Sequence, residues 1–190
     1  DILYLPPGIA HDGVAVGPDC MTYSIGFRAP SQRDLIEDWS AHVAEGLAED
    51  DRYADPGLPP QANPGEITPE ALARLHDLAT QALADRAGFA RWFGQASSTP
   101  KYPQADWRPL NAGLPVRRNP ASRFVFVREG EEALALFVDG EAFACAGEAA
   151  GFTERLCAGD EVPVETVDAA VLALIAALAS QGSVTLGAED

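Results

Sequence analysis

One histidine in this chain has the setting of a metal ligand. His11 follows the corner Pro6-Pro7-Gly8, inside Leu5-Pro6-Pro7-Gly8-Ile9-Ala10-His11-Asp12-Gly13, and lies between two stretches that read as β-strands. Two prolines fix φ, and glycine takes the backbone conformation that other residues avoid, so the corner is stiff and sets where the imidazole points. A triad of two histidines and one carboxylate holds Fe(II) on one face and leaves positions open for substrate and dioxygen. His11 suits the second histidine of such a triad. The first histidine and the carboxylate usually come from a short His-x-Asp or His-x-Glu motif, and this sequence has none. His42 precedes Val43-Ala44, His76 precedes Asp77-Leu78, and Asp12 follows His11 directly. His42 and His76 fall on expected helices and read as surface residues. One donor is therefore expected here and two elsewhere.

The chain divides into three regions, and the first must position this histidine. In residues 1–30, strands are expected at 2–5, at 14–16 and from Met21 to Phe27, with turns at Pro6-Pro7-Gly8 and Gly17-Pro18-Asp19. Alternation in the last strand puts Thr22 and Ser24 on one face and Tyr23, Ile25 and Phe27 on the other. So few strands cannot hold a sheet alone and need the rest of a barrel. The chain opens on Asp1 with a strand already under way, as expected of the C-terminal part of a longer protein.

Residues 31–98 read as about three helices. Ser31 with Asp34 makes a capping box, and Leu35, Ile36, Trp39, Val43 and Leu47 follow helical spacing. The Pro-, Gly- and Asp-rich stretch 50–69 reads as a loop. Thr68 caps a second helix with Pro69 at its first position and a stripe of Leu72, Leu75, Ala79 and Leu83. A third helix carries Phe89, Trp92 and Phe93 and is expected to stop near Gly94. Its aromatic stripe suits a core or a dimer face.

Residues 99–190 open with an extended, proline-containing linker. Strands are expected at 123–128, 133–138 and 141–145, with Asp139-Gly140 a strong hairpin signal. Helices are expected at 151–157 and, from a Thr166 cap, over 167–178, followed by a strand at 183–186. This order fits a winged-helix-like module.

Composition narrows the chemistry. The 190 residues carry a net charge of −16. Nucleic-acid binding draws on Lys and Arg at phosphates, so the balance argues against nucleic acid and anionic membranes. It favours a basic partner. The acidic runs Glu49-Asp50-Asp51 and Glu129, Glu131, Glu132 read as solvated faces able to attract such a partner, and Arg117-Arg118 is the sole adjacent pair of cations. Cys20, Cys145 and Cys157 form no C-x-x-C pair and read as reduced thiols of a cytosolic protein. The longest apolar run, Val167 to Leu178, is too short to span a bilayer.

The segment Asp1 to Gly8, His11, Gly13 and Tyr23-Ser24-Ile25-Gly26-Phe27-Arg28-Ala29-Pro30 resembles the end of the jumonji-type (JmjC, cupin-4) domain of bacterial ribosomal oxygenases. Tyr53-Ala54-Asp55-Pro56 with Pro59-Pro60 resembles that family's connecting loop, and Trp92-Phe93-Gly94 its dimerisation helices. The resemblance implies an α+β chain. It would hold the end of a double-stranded β-helix (cupin/JmjC) barrel over 1–30, a helical dimerisation region over 31–98 and a winged-helix-like domain over 99–190. It also implies an Fe(II)- and 2-oxoglutarate-dependent dioxygenase, cytoplasmic and homodimeric, that hydroxylates a ribosomal protein, with arginine as the implied residue. His11 would be the distal iron ligand. Ser24, and after it Thr22, would bond a 2-oxoglutarate carboxylate. No His-x-Asp pair or oxoglutarate-binding cation matches here, so the chain alone is expected to be inactive. Two other readings compete: a non-catalytic dimerisation or protein-interaction module, and a winged-helix transcription regulator, which the charge disfavours.

Overall fold

Alternating apolar residues between 124 and 146 fold as a three-stranded antiparallel meander. The structure, a computed structural model, describes residues 2–26, 29–49, 52–54, 56–57, 59, 63–101, 115–164 and 168–186. In it β2 (Phe124–Arg128), β3 (Ala133–Val138) and β4 (Glu141–Ala146) pair in the order β2-β3-β4. Asp139 and Gly140 both take positive φ, 53° and 91°, which is the tight turn that their sequence announces. A second antiparallel sheet has the order β5-β1-β6, from β5 (Glu161–Val162), β1 (Val116–Arg118) and β6 (Val184–Leu186).

Cross-strand register sorts the meander into two faces. Phe124, Phe126, Leu134, Leu136, Val138, Phe143 and Cys145 share one face, and Val125, Val127, Ala135, Phe137, Ala142 and Ala144 share the other. The first face meets α4 (Glu148–Ala158) and α5 (Ala169–Ser180) in a core that includes Phe152, Leu156, Leu174 and Leu178. Val116, Val162 and Val184 of the second sheet close that core. Burying each such side chain contributes roughly 1.5–3 kcal/mol.

The other face meets α3 (Arg86–Ser98), which does not stop at Gly94 as expected. A Cβ on Gly94 would lie 2.7 Å from Phe137 Cζ and closer still to Cδ2 and Cε2. The glycine marks a close approach of helix to sheet. The helix ends at Ser98 because Thr99 precedes Pro100, which disfavours helical backbone there. Buried Ser98 accepts from Gly140 N (3.0 Å), and Gln95 Nε2 donates to Gly140 O (3.3 Å). Asp139 accepts from Arg123 N (2.9 Å) and from Ser183 Oγ (2.7 Å). One turn thus ties α3, β2 and the strand end before β6 together.

α1 (Gln32–Glu45) begins at the expected capping box, Asp34 N donating to Ser31 Oγ at 3.0 Å and Ser31 N to Asp34 Oδ2 at 3.1 Å. Gly46 ends it, so Leu47 lies outside. Trp39 is buried against Phe89 and Trp92, each ring centre 5.4 Å away, and its Nε1 donates to Leu83 O at 3.2 Å. Those aromatics therefore form a core between α1 and α3, while Phe93 is partly exposed. α2 (Pro69–Gln81) has its Thr68 cap and leading proline, but buries no residue. Its expected stripe of Leu72, Leu75 and, in the 3-10 turn beyond it, Leu83 faces solvent.

Several expectations need correction. No strand forms over residues 2–26, although the turns at Pro7-Gly8 and at Gly17-Pro18-Asp19 are present; Phe27 and Arg28 lie outside the described residues. A strand needs backbone partners, and the described residues offer none to this segment. The linker hides β1, and β5 was equally unexpected, because strands of three and two residues are too short to show alternation. α4 starts earlier than expected: Gly147, with φ 55°, turns β4 straight into the helix, and Ala149 and Ala150 are buried. Thr166 lies outside the described residues. The described cap of α5 is Asp168, which accepts from Ala170 N at 2.9 Å and Val171 N at 3.1 Å.

Candidate functional site

The corner before His11 forms as its residues dictate. Gly8 takes φ 79°, and Ile9 N donates to Pro6 O at 3.4 Å. The chain then returns so that His11 Nδ1 lies 3.1 Å from Ile9 O. A carbonyl can only accept, so this contact is a hydrogen bond when Nδ1 carries a proton, and Nε2 is the ring nitrogen that Ile9 leaves unengaged. That is the arrangement in which metal-bound histidines are held, one ring nitrogen anchored to a carbonyl and the other free to coordinate.

The rest of a site is not assembled around it. His11, Thr22 and Ser24 are all exposed, and no barrel wall stands beside the ring among the described residues. The expected barrel mouth is therefore not found there. No group of three His, Cys, Asp or Glu among the described residues is placed to hold a metal ion. His11 fits as one donor of a metal centre, and the described residues do not supply the others. His42 stacks on Trp39 at 5.6 Å, and His76 sits 3.8 Å from Asp77 on the surface of α2. Neither joins His11 in a metal-holding group.

Two of the cysteines, Cys145 and Cys157, are unsuited to chemistry. Burial pushes the Cys157 thiol up to about 11, against the pull of the nearby Arg118 guanidinium and with a further push from Cys145. Burial also raises Cys145, opposed by hydrogen bonds from Thr153 and the Leu136 backbone. Both stay protonated near neutrality, and the thiolate is the form that attacks or ligates.

The Arg117-Arg118 pair is engaged by acids. Arg117 meets Glu161 at 2.8 Å, and Arg118 meets Asp160 at 2.7 Å with its guanidinium 5.6 Å over Phe124. No helix among the described residues is long and apolar enough to cross a membrane.

A second feature escaped the sequence: a groove of about 560 Å³ between α3 and the sheet, with Gly88, Ala90, Val127, Ala135 and Phe137 among its lining residues. Its sequence signal is the run of small residues on α3 and β3, which means little until the two elements meet.

Comparison with known proteins gives this geometry a family. A family described as JmjC domain matches residues 1–35, and one described as ROXA-like winged helix matches residues 81–185. The chain belongs to the ROXA-like winged-helix family and corresponds to the C-terminal part of the ribosomal oxygenases. It is 35% identical over 102 residues to the ribosomal protein uL16 3-hydroxylase of Escherichia coli, an alignment covering 54% of this chain and 27% of that protein. A probable ribosomal oxygenase of Haemophilus influenzae is 31% identical over 104 residues, covering 50% and 24%. The chain thus spans about a quarter of the curated relatives it matches. Among solved structures, Escherichia coli YcfD superposes with a TM-score of 0.66 at 21% identity, covering 83% of this chain and 45% of that one. YcfD in complex with cobalt and 2-oxoglutarate gives 0.62 at 23%, covering 84% and 47%. At such identity these structures establish a shared fold.

Proposed function

We propose that this chain is part of an Fe(II)- and 2-oxoglutarate-dependent hydroxylase of a ribosomal protein, with arginine as the target residue. The observation that carries this reading is His11, held through Nδ1 at 3.1 Å from Ile9 O inside the segment that matches a JmjC domain. When bound, Fe(II) with 2-oxoglutarate would activate dioxygen to insert one oxygen atom into a substrate C–H bond. The chain's own share is local. Ile9 O fixes the tautomer and tilt of the His11 ring, and the stiff corner fixes its position. Ser24, with Thr22 as a second donor, offers a hydroxyl to a 2-oxoglutarate carboxylate. The remaining ligands would come from outside the described residues, which makes this chain inactive alone. The relatives' names support a ribosomal protein as substrate, a basic macromolecule suited to a chain of net charge −16. Such a substrate would place the enzyme in the cytoplasm.

The test is mass spectrometry of a ribosomal protein incubated with Fe(II), 2-oxoglutarate and a protein carrying this chain with the rest of its JmjC domain. The expected result is one added oxygen on an arginine, with succinate released in equal amount. Succinate release with no oxygen on any ribosomal protein would refute the substrate.

We further propose that residues 31–98 mediate homodimerisation, with residues 99–190 as the winged-helix-like module. The exposed leucines of α2, Leu72, Leu75 and Leu78, form an apolar stripe that a second copy would cover. Sedimentation should give a dimer that Leu75→Asp converts to monomer; a monomer at all micromolar concentrations would rule this out. Direct DNA binding is disfavoured by the ion pairs that engage Arg117 and Arg118.

A further inference from the structure

We propose that the groove between α3 and the β2–β3 meander docks an extended polypeptide rich in lysine and arginine. This rests on the hydroxylase reading and adds to it a place where the basic substrate is gripped, where α3 of the helical region meets the β2–β3 meander, with no residue of the His11 segment in its lining.

The groove exists because its walls are small. Ala87 and Ala90 on α3 and Val127 and Ala135 on the sheet are among its lining residues, and they leave about 560 Å³ beside Phe137. Its floor continues across the sheet: register places Ala135 beside Ala144 and Ala133 beside Ala146, and both β4 alanines are exposed. A flat floor of alanine methyls two strands wide suits the aliphatic stems of lysine and arginine, whose charged ends then reach outward.

The charge around it favours cations. Asp85 and Glu129 line the groove, and Glu129 opens the exposed hairpin Glu129-Gly130-Glu131-Glu132. Two arginines also belong to the lining. Strand alternation turns Arg128 to the face of Phe126, opposite Val127, where Glu154 holds its Nη1 at 2.6 Å. Arg91, exposed on α3, is the remaining cation of the lining. The net charge of −16 adds a long-range attraction for a basic chain.

The probe is a fluorescein-labelled Lys/Arg-rich peptide, titrated with this 190-residue chain and read by anisotropy. A glutamate-rich peptide and a short single-stranded oligonucleotide serve as competitors. Saturable binding of the basic peptide is expected. It should weaken about tenfold in the triple charge reversal Glu129→Lys, Glu131→Lys, Glu132→Lys, and with added salt. Ala87→Trp, at an exposed position of the lining, should block the groove and weaken binding without changing any charge. Arg91→Gln should bind at least as tightly. Unchanged binding in both the triple reversal and Ala87→Trp, each with a wild-type melting curve, would overturn the proposal. So would competition by the acidic peptide or the oligonucleotide that Arg91→Gln abolishes. The readout is binding alone: loss of this complex with hydroxylation intact sinks the groove, whereas a complex persisting in a protein that hydroxylates nothing sinks the substrate reading.

Discussion

Replacing His11 by alanine should abolish 2-oxoglutarate turnover in a protein that carries this chain with the rest of a JmjC domain, while leaving the fold of this chain untouched. The two halves of that expectation rest on separate observations. Removing an outer-sphere partner of a metal ligand costs about 10- to 100-fold in metal affinity or activity, so removing a ligand should cost at least about a hundredfold. The described part of the segment, residues 2–26, is exposed throughout, so the substitution removes no packing from the core. Fe(II) affinity should fall with turnover, and the melting temperature should not move. Asp12→Asn next to it should keep turnover near wild type. A His11→Ala protein that consumes 2-oxoglutarate at the wild-type rate would remove this residue from the metal centre.

Gly94→Val should destabilise the seat of α3 on the sheet. A side chain there would occupy the space of the buried Phe137 ring, which would have to shift. Overpacking of this kind costs up to about 3 kcal/mol. For a domain of this size that lowers the melting temperature by on the order of 10 °C. Calorimetry reads it directly. A Phe137→Leu change should recover part of the loss in the double variant, because the two positions share one contact. An unshifted melting curve for Gly94→Val would mean that helix and sheet are not in contact as described.

What the sequence made legible was local. Asp139-Gly140 required a tight hairpin because few residue pairs tolerate two positive φ values in succession, and both ends of that hairpin were found where alternation put them. Ser31 and Asp34 announced their capping box through chemistry confined to one helical turn. The corner at Pro7-Gly8 was visible for the same reason. Non-local features were opaque. Alternation in residues 2–5 and 21–26 says what a strand would bury, not whether a neighbouring strand is there to bond it. β1 and β5 exist only because their backbones find partners far along the chain, Arg118 N donating to Asp160 O at 2.9 Å and Asn119 N to Ser183 O at 2.8 Å. Gly94 was ambiguous in kind, since glycine both ends helices and lets them approach closely, and the residue opposite decides which. The groove is the extreme case, made from small residues on elements that share no sequence pattern.

α3 is gripped from two sides. Phe89 and Trp92 lock it to Trp39 on α1, and Gly94 seats it on Phe137 in the sheet. A helix held on both faces cannot shift against one neighbour without disturbing its contact with the other. Cutting the chain at Thr99 would strip that helix away and leave the Phe137 ring open to water.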